Sequence, residues 1–149
     1  MPRHRVPIPL RWADMDSYGH VNNVVFLQLM EEARVALLSG GLPGEDEFGL
    51  GMLQTGIVVA HAEIEYLTPL NHRIAPIDVE LWVTRIGSAD FDLGYQIRDE
   101  ATLYARAATT MVVYQLAEQR PRRLTPRERT VLEAWSDAPV EFRRRRVAG

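Results

Sequence analysis

After the first helix the hydrophobic period of this chain turns to that of a strand and stays there through four consecutive segments. From Asn22 or Asn23 onward, Phe26, Met30, Ala33 and Leu37 recur every three or four residues, with Leu29 and Ala36 widening the stripe. Gly40 and Gly41 stop this helix. Residues 58–66, 76–86 and 91–97 instead alternate between two faces, as half-buried strands do, and 103–115, long and rich in β-branched and small residues, is expected to be a central strand covered on at least one face. In the first of them Val58, Ala60, Ala62, Ile64 and Tyr66 are expected on one face and His61, Glu63 and Glu65 on the other. Residues 5–12, with Pro7 and Pro9, suit an edge strand, because proline cannot donate to a central ladder. Near the end, Thr125, Pro126 and Glu128 form a capping box that opens a short helix over 126–135. One helical stripe and four sequential strands predict an α+β domain whose antiparallel sheet must cover a single long helix. A sheet wrapped around that helix satisfies the pattern.

At 149 residues the chain is expected to be one domain spanning 1–149. Residues 42–56, rich in Gly and acidic side chains, predict a mobile loop with one short helical turn. The arginine run 143–146 predicts a frayed tail over 143–149. The net charge of -3 and the scatter of both signs exclude the basic stripe of a dedicated nucleic-acid binder. All 17 cationic residues are Arg, so no lysine can form a Schiff base. With no Cys, thiolate nucleophiles, disulfides and zinc-thiolate sites are excluded as well. The first ten residues lack the apolar core of a signal peptide, and no segment has the length of a membrane span. A cytoplasmic protein without membrane or nucleic-acid partners is the expectation.

The chemistry concentrates in Asp14-Met15-Asp16-Ser17-Tyr18-Gly19-His20-Val21-Asn22-Asn23, between the first strand and the helix. Two carboxylates and an imidazole are delivered there to a helix N-terminus, where free N–H groups favour negative charge. That combination suits attack on a carbonyl. Asn at the helix start, with no Glu or Gln three residues later, predicts a single cap.

Arg11-Trp12-Ala13-Asp14-Met15-Asp16, Gly19-His20-Val21-Asn22-Asn23, Phe26-Leu27 and Met30-Glu31 through Arg34 resemble the hotdog-fold acyl-CoA thioesterases, in the 4-hydroxybenzoyl-CoA thioesterase-like branch. The likeness continues through Glu63-Ile64-Glu65-Tyr66-Leu67-Thr68-Pro69-Leu70, Ile86-Gly87 and Arg123-Leu124-Thr125-Pro126. It implies hydrolysis of an acyl-CoA or acyl-carrier-protein thioester, with no metal and no cofactor beyond the coenzyme A of the substrate, and a role in lipid metabolism. Asp16 matches the catalytic carboxylate, as base or nucleophile. In the plant acyl-carrier-protein thioesterases, whose motif is similar, an Asn and then a His follow the Asp at alternate positions. His20 matches that His, but Tyr18 stands at the Asn position, which favours a simpler site based on Asp16. Tyr18 and Gly19 are expected at the substrate entrance, and Val21, Asn22 and Asn23 at the oxyanion site.

Asp14, Glu31 and Glu32 are expected to be structural. His61 and Asp90 are expected at the surface or an interface, with bordering the acyl pocket as the alternative; Arg73, Arg120, Arg122 and Arg123 are candidate phosphate contacts for coenzyme A. A homodimer or homotetramer follows from an unpaired sheet edge and from Trp82, Tyr104, Val112 and Tyr114 on a face without an obvious cover. The rivals are a hotdog hydratase or dehydratase, whose acid/base motif is missing, and a non-catalytic acyl-CoA-binding module.

Overall fold

Asn22 starts the first helix by accepting the Val24 amide on its side chain at 3.1 Å, which satisfies one of the donors a helix N-terminus leaves free. The computed structural model describes residues 3–39, 52 and 56–143. In chain order they form β1 (His4–Ile8), a 3-10 turn (Trp12–Asp14), α1 (Asn23–Leu38), β2 (Ile57–Tyr66), β3 (Ile77–Ile86), β4 (Asp90–Arg98), β5 (Leu103–Gln115), β6 (Arg120–Pro121) and α2 (Pro126–Ala134). The Gly40-Gly41 stop and nearly all of the expected loop over 42–56 lie outside the described residues, as does the tail beyond residue 143.

The sheet is antiparallel in the order β1-β3-β4-β5-β2, with β6 folding back on β5. Phe26, Met30, Ala33 and Leu37 of α1 are all buried, in one cluster with Val79, Leu81, Leu93, Ile97, Ala105 and Ala107 of the sheet. The helical stripe therefore meets the strands' apolar face, as its period requires. At the far end Thr125 and Glu128 close the capping box of α2, and both Glu128 carboxylate oxygens take Arg122 nitrogens at 2.8 Å.

Three expectations are corrected. The first strand is shorter than 5–12: β1 pairs with β3 only from His4 to Ile8, and Trp12 opens the 3-10 turn. It is an edge strand, with Pro7 opposite Asp78. In β2 the register against β5 shifts between Val59 and His61, so Ile57 and Val59 share a face with Ala62, Ile64 and Tyr66, and Val58 turns outward opposite Val112. The extra residue of a bulge reverses the parity that strict alternation assumes.

The third correction concerns the outer face. Trp82 is covered: it is 1% exposed and donates its indole N–H to the Ala138 carbonyl at 2.7 Å. After α2 the chain bonds to Val83 through Trp135 and Asp137, then crosses the outer face of the sheet. A Cβ at Gly94 would lie 2.8 Å from Val140 and 2.9 Å from Trp82, so this crossing needs a glycine beneath it. The Arg143 amide reaches Glu65 at 3.1 Å and completes the strap. Tyr104, Val112 and Tyr114 remain half-buried.

Candidate active site

Between the 3-10 turn and α1 the chain reverses in a tight loop. Asp16 donates its amide to the His20 carbonyl at 2.8 Å, and the Gly19 amide returns to the Asp16 carbonyl at 3.1 Å. Gly19 has φ +76, a conformation that L side chains rarely adopt, although space around its Cβ position is open. The Asp16 carboxylate is held from one side only. Its Oδ1 accepts the amides of Tyr18 at 2.9 Å and His20 at 3.3 Å, while Oδ2 has no partner among the described residues. The loop is anchored to the sheet side by Val21, whose amide donates to the Leu70 carbonyl at 2.7 Å, and by a bridge between His20 and Asn71.

Half-buried Asp16 lines a cavity of about 320 Å³. His20 and Asn23 share its polar side, and Phe26, Tyr66 and Leu70 form its apolar wall. The N-terminus of α1 borders the same space. There the Val24 amide is taken by Asn22 and the Val25 amide by the Asn22 carbonyl, whereas the Asn23 amide has no acceptor among the described residues. A carboxylate with one free oxygen and a free helix-terminal N–H on one cavity can generate a nucleophile and stabilise an oxyanion.

Asp14 is not part of this cavity. It is buried and held by Arg11, whose amide and guanidinium donate to it at 2.8 to 3.1 Å, and its carbonyl takes the Asn22 amide. Its role is to fix the chain just ahead of the helix. Tyr18 contributes its amide while its ring is 83% exposed and lies outside the cavity lining. Glu31 and Glu32 line a separate cleft between α1 and β1. His61 is exposed on the outer sheet face, where it faces Thr110, and Asp90 pairs with Arg85 at 3.0 Å. Of the candidate phosphate contacts, Arg73 pairs with Asp99 at 2.8 Å, Arg120 with Glu118 and Arg122 with Glu128, while Arg123 is exposed. Among the described residues no group of His, Asp and Glu could hold a metal ion, and no helix is long and apolar enough to cross a membrane.

The profile of the thioesterase-like superfamily matches residues 10–142, nearly the whole chain. The chain belongs to this superfamily. It is an enzyme of the thioester-hydrolase type. No curated protein matches it in sequence. Among solved structures, a candidate thioesterase from Pseudomonas aeruginosa is 35% identical over 87% of this chain and 97% of its own, with a TM-score of 0.72. A candidate acyl-CoA thioesterase from Xanthomonas campestris is 37% identical over 78% of this chain and 95% of its own, with a TM-score of 0.63. A thioesterase from Thermus thermophilus, crystallised with coenzyme A and zinc, is 27% identical over 93% of this chain and 97% of its own, with a TM-score of 0.72. The antiparallel sheet packed against α1 is thus an architecture shared with named thioesterases.

Phe26 and Tyr66 were not legible as site residues of this thioesterase-like chain. Tyr66 donates its hydroxyl to the Asn23 carbonyl at 2.9 Å and meets Phe26 edge-on at a centroid distance of 5.3 Å. Tyr66 is 46% exposed; partial desolvation pushes its pKa up, and a phenol is protonated and able to donate at neutral pH with or without that shift. The bond ties the end of β2 to the first turn of α1, so Tyr66→Phe should leave the edge contact but loosen the helix start. The expected result is a fall in kcat of about tenfold with KM little changed, because an amide that meets only the transition state is displaced. A KM change alone would make Tyr66 a wall residue.

Proposed function

We propose that the protein hydrolyses an acyl thioester, of coenzyme A or of an acyl carrier protein, with Asp16 as base or nucleophile and the Asn23 amide as oxyanion donor. The observation that carries this reading is that Asp16, whose Oδ2 has no partner among the described residues, and Asn23, whose amide has no acceptor among them, line one cavity. As a base, Asp16 takes a proton from water while the oxygen bonds to the thioester carbon; collapse of the tetrahedral species breaks the C–S bond, and the thiolate recovers the proton. As a nucleophile, Asp16 forms the C–O bond itself and the C–S bond breaks to release the thiolate; water then cleaves the resulting anhydride, which returns the Asp16 carboxylate, frees the acid and gives up the proton that the thiolate takes. Either route concentrates negative charge where the helix terminus can meet it. His20 supplies an amide to Asp16 and a ring to the cavity, positioned to share the proton with the leaving thiolate. Val21 and Asn22 set the helix start through their bonds to Leu70, Asp14 and Val24.

The reaction uses only thioester and water, with coenzyme A as part of the substrate. The fold in this reading is a hotdog, one domain over residues 1–149 with its sheet wrapped around α1 as the central helix, assembled as a cytoplasmic homodimer or homotetramer of lipid metabolism. A hydrolysis screen over short, long, branched and aromatic acyl-CoAs, monitored by thiol release, tests the reading. Binding without turnover across the whole panel would instead favour an acyl-CoA-binding module.

Tyr18 offers a sharper discrimination. Its exposed ring stands where related enzymes carry a polar orienting residue, yet its hydroxyl bonds to nothing among the described residues. Tyr18→Phe should therefore cost less than about tenfold in kcat. A loss as large as that from removing the Asp16 carboxylate would show that the phenol reaches the reacting atoms.

A further inference from the structure

One wall of the Asp16 cavity, Leu67 to Leu70, belongs to the irregular connection from β2 to β3, residues 67–76. Two sets of bonds fasten it. Leu67 and Thr68 donate their amides to the Tyr104 carbonyl at 2.9 and 3.1 Å. Further along, the Leu70 carbonyl takes the Val21 amide at 2.7 Å, and Asn71 bridges to His20. A shift of the connection therefore moves the cavity wall and the loop that carries Asp16 together.

Between 71 and 76 only Arg73 is not exposed, while Ile74 beside it is 97% exposed. The segment turns a guanidinium inward and an isoleucine outward, against the order that burial of apolar surface favours. The Arg73 Nε and Nη2 are shut off from solvent without a hydrogen-bond partner among the described residues, which is costly. The guanidinium carbon lies 5.6 Å from the centroid of the Tyr104 ring, which offsets part of that penalty. Its remaining nitrogen, Nη1, donates to Asp99 Oδ2 at 2.8 Å. Asp99 divides its oxygens between two tasks. Oδ1 accepts the Ala101 and Thr102 amides at 2.9 and 2.7 Å and closes the turn between β4 and β5, whereas Oδ2 takes Arg73 and, at 2.7 Å, the Tyr104 hydroxyl. The turn amides do not need Oδ2, so that oxygen is left to serve the connection.

We infer that Arg73, clamped to Asp99 over the Tyr104 ring, is a positioning residue for thioester hydrolysis: it fixes the connection to the β4–β5 turn and, through Leu70 and Asn71, holds the Asp16 loop in register with the N-terminus of α1. The inference rests on the reading of Asp16 as the reacting carboxylate for its kinetic consequence, and on the hydrogen-bond path alone for its structural one. Arg73, Asp99 and Tyr104 do not line the cavity, so the clamp works through the loop it holds. Reacting groups tolerate little misplacement, and about an ångström can cost on the order of 10² in rate.

The test measures kcat and KM per folded molecule, thermal unfolding, and amide hydrogen exchange of the substrate-free protein. Arg73→Met keeps the aliphatic stem and loses the charge; Asp99→Asn keeps an oxygen for the turn amides and loses the acceptor at Oδ2. Each should lower kcat about tenfold with KM within about twofold. The Val21 amide should exchange about tenfold faster in both, relative to core amides of β4. Because the two substitutions break one contact, the double variant should be little worse than either alone. As a control, Arg85→Met removes an ion pair with Asp92 on the outer sheet face and should leave kcat and Val21 exchange unchanged whatever it does to Tm. Unchanged Val21 exchange in both Arg73→Met and Asp99→Asn overturns the inference, as does a change in KM alone, which would make Arg73 a substrate contact. Faster Val21 exchange in both, with no turnover of any acyl-CoA by the wild type, keeps the positioning path and overturns the hydrolase reading instead.

Discussion

Asp16→Asn should give a folded protein whose kcat for thioester hydrolysis is lower by about 10² or more, the range lost with a general base. The substitution is nearly isosteric, and the side-chain oxygen that remains can still accept the Tyr18 and His20 amides that hold the loop. What disappears is the carboxylate charge, and with it both the proton acceptor and the nucleophile. Stability should change little, because the removed charge is half-exposed and no ion pair depends on it among the described residues. Thiol-release kinetics alongside thermal unfolding check both halves of the expectation. Wild-type turnover by a well-folded variant would sink the assignment of Asp16.

The sequence disclosed what depends on local periodicity and on the motif, and little that depends on pairing across the sheet. Phe26, Met30, Ala33 and Leu37 declare the buried stripe of α1 because helical spacing is a local property. Asn22 as a single cap and the capping box of α2 are local in the same sense. The parity of β2 was not legible, since the bulge after Val59 arises from its register against β5. The cover over Trp82 comes from a segment without periodicity, and Gly94 gains its meaning only when Val140 lies above it. At the site, the motif brought Asp16, His20, Val21 and Asn23 to one cavity and turned the Tyr18 ring away from it. Tyr66, 43 residues from Asn23, joins them through a contact that no spacing announces.

The largest remaining effect should come from separating two copies of the chain. β2 ends the sheet order, so one side of its backbone is left without a strand partner among the described residues. Val58 and Val59 on that edge are 40% and 45% exposed, and Val24, Leu27 and Val35 on neighbouring α1 are 56%, 40% and 43% exposed. An apolar, unprotected edge is an association surface, and two-fold pairing of β2 with its copy would extend the sheet and cover these side chains at once. Symmetry makes such a contact isologous, giving two equivalent sites per dimer. A cleft of about 240 Å³ between α1 and β2 is lined by Val24, Leu27 and Val59 of this surface, and the Asp16 cavity by the neighbouring Asn23 and Tyr66, so a second copy is expected to complete both walls. Light scattering at micromolar concentration should report a dimer or tetramer. Val58→Lys, which sets like charges against each other across the two-fold, should yield a monomer with its secondary structure retained and its hydrolysis abolished. A fully active monomer would refute the shared site and leave the role of Asp16 untouched.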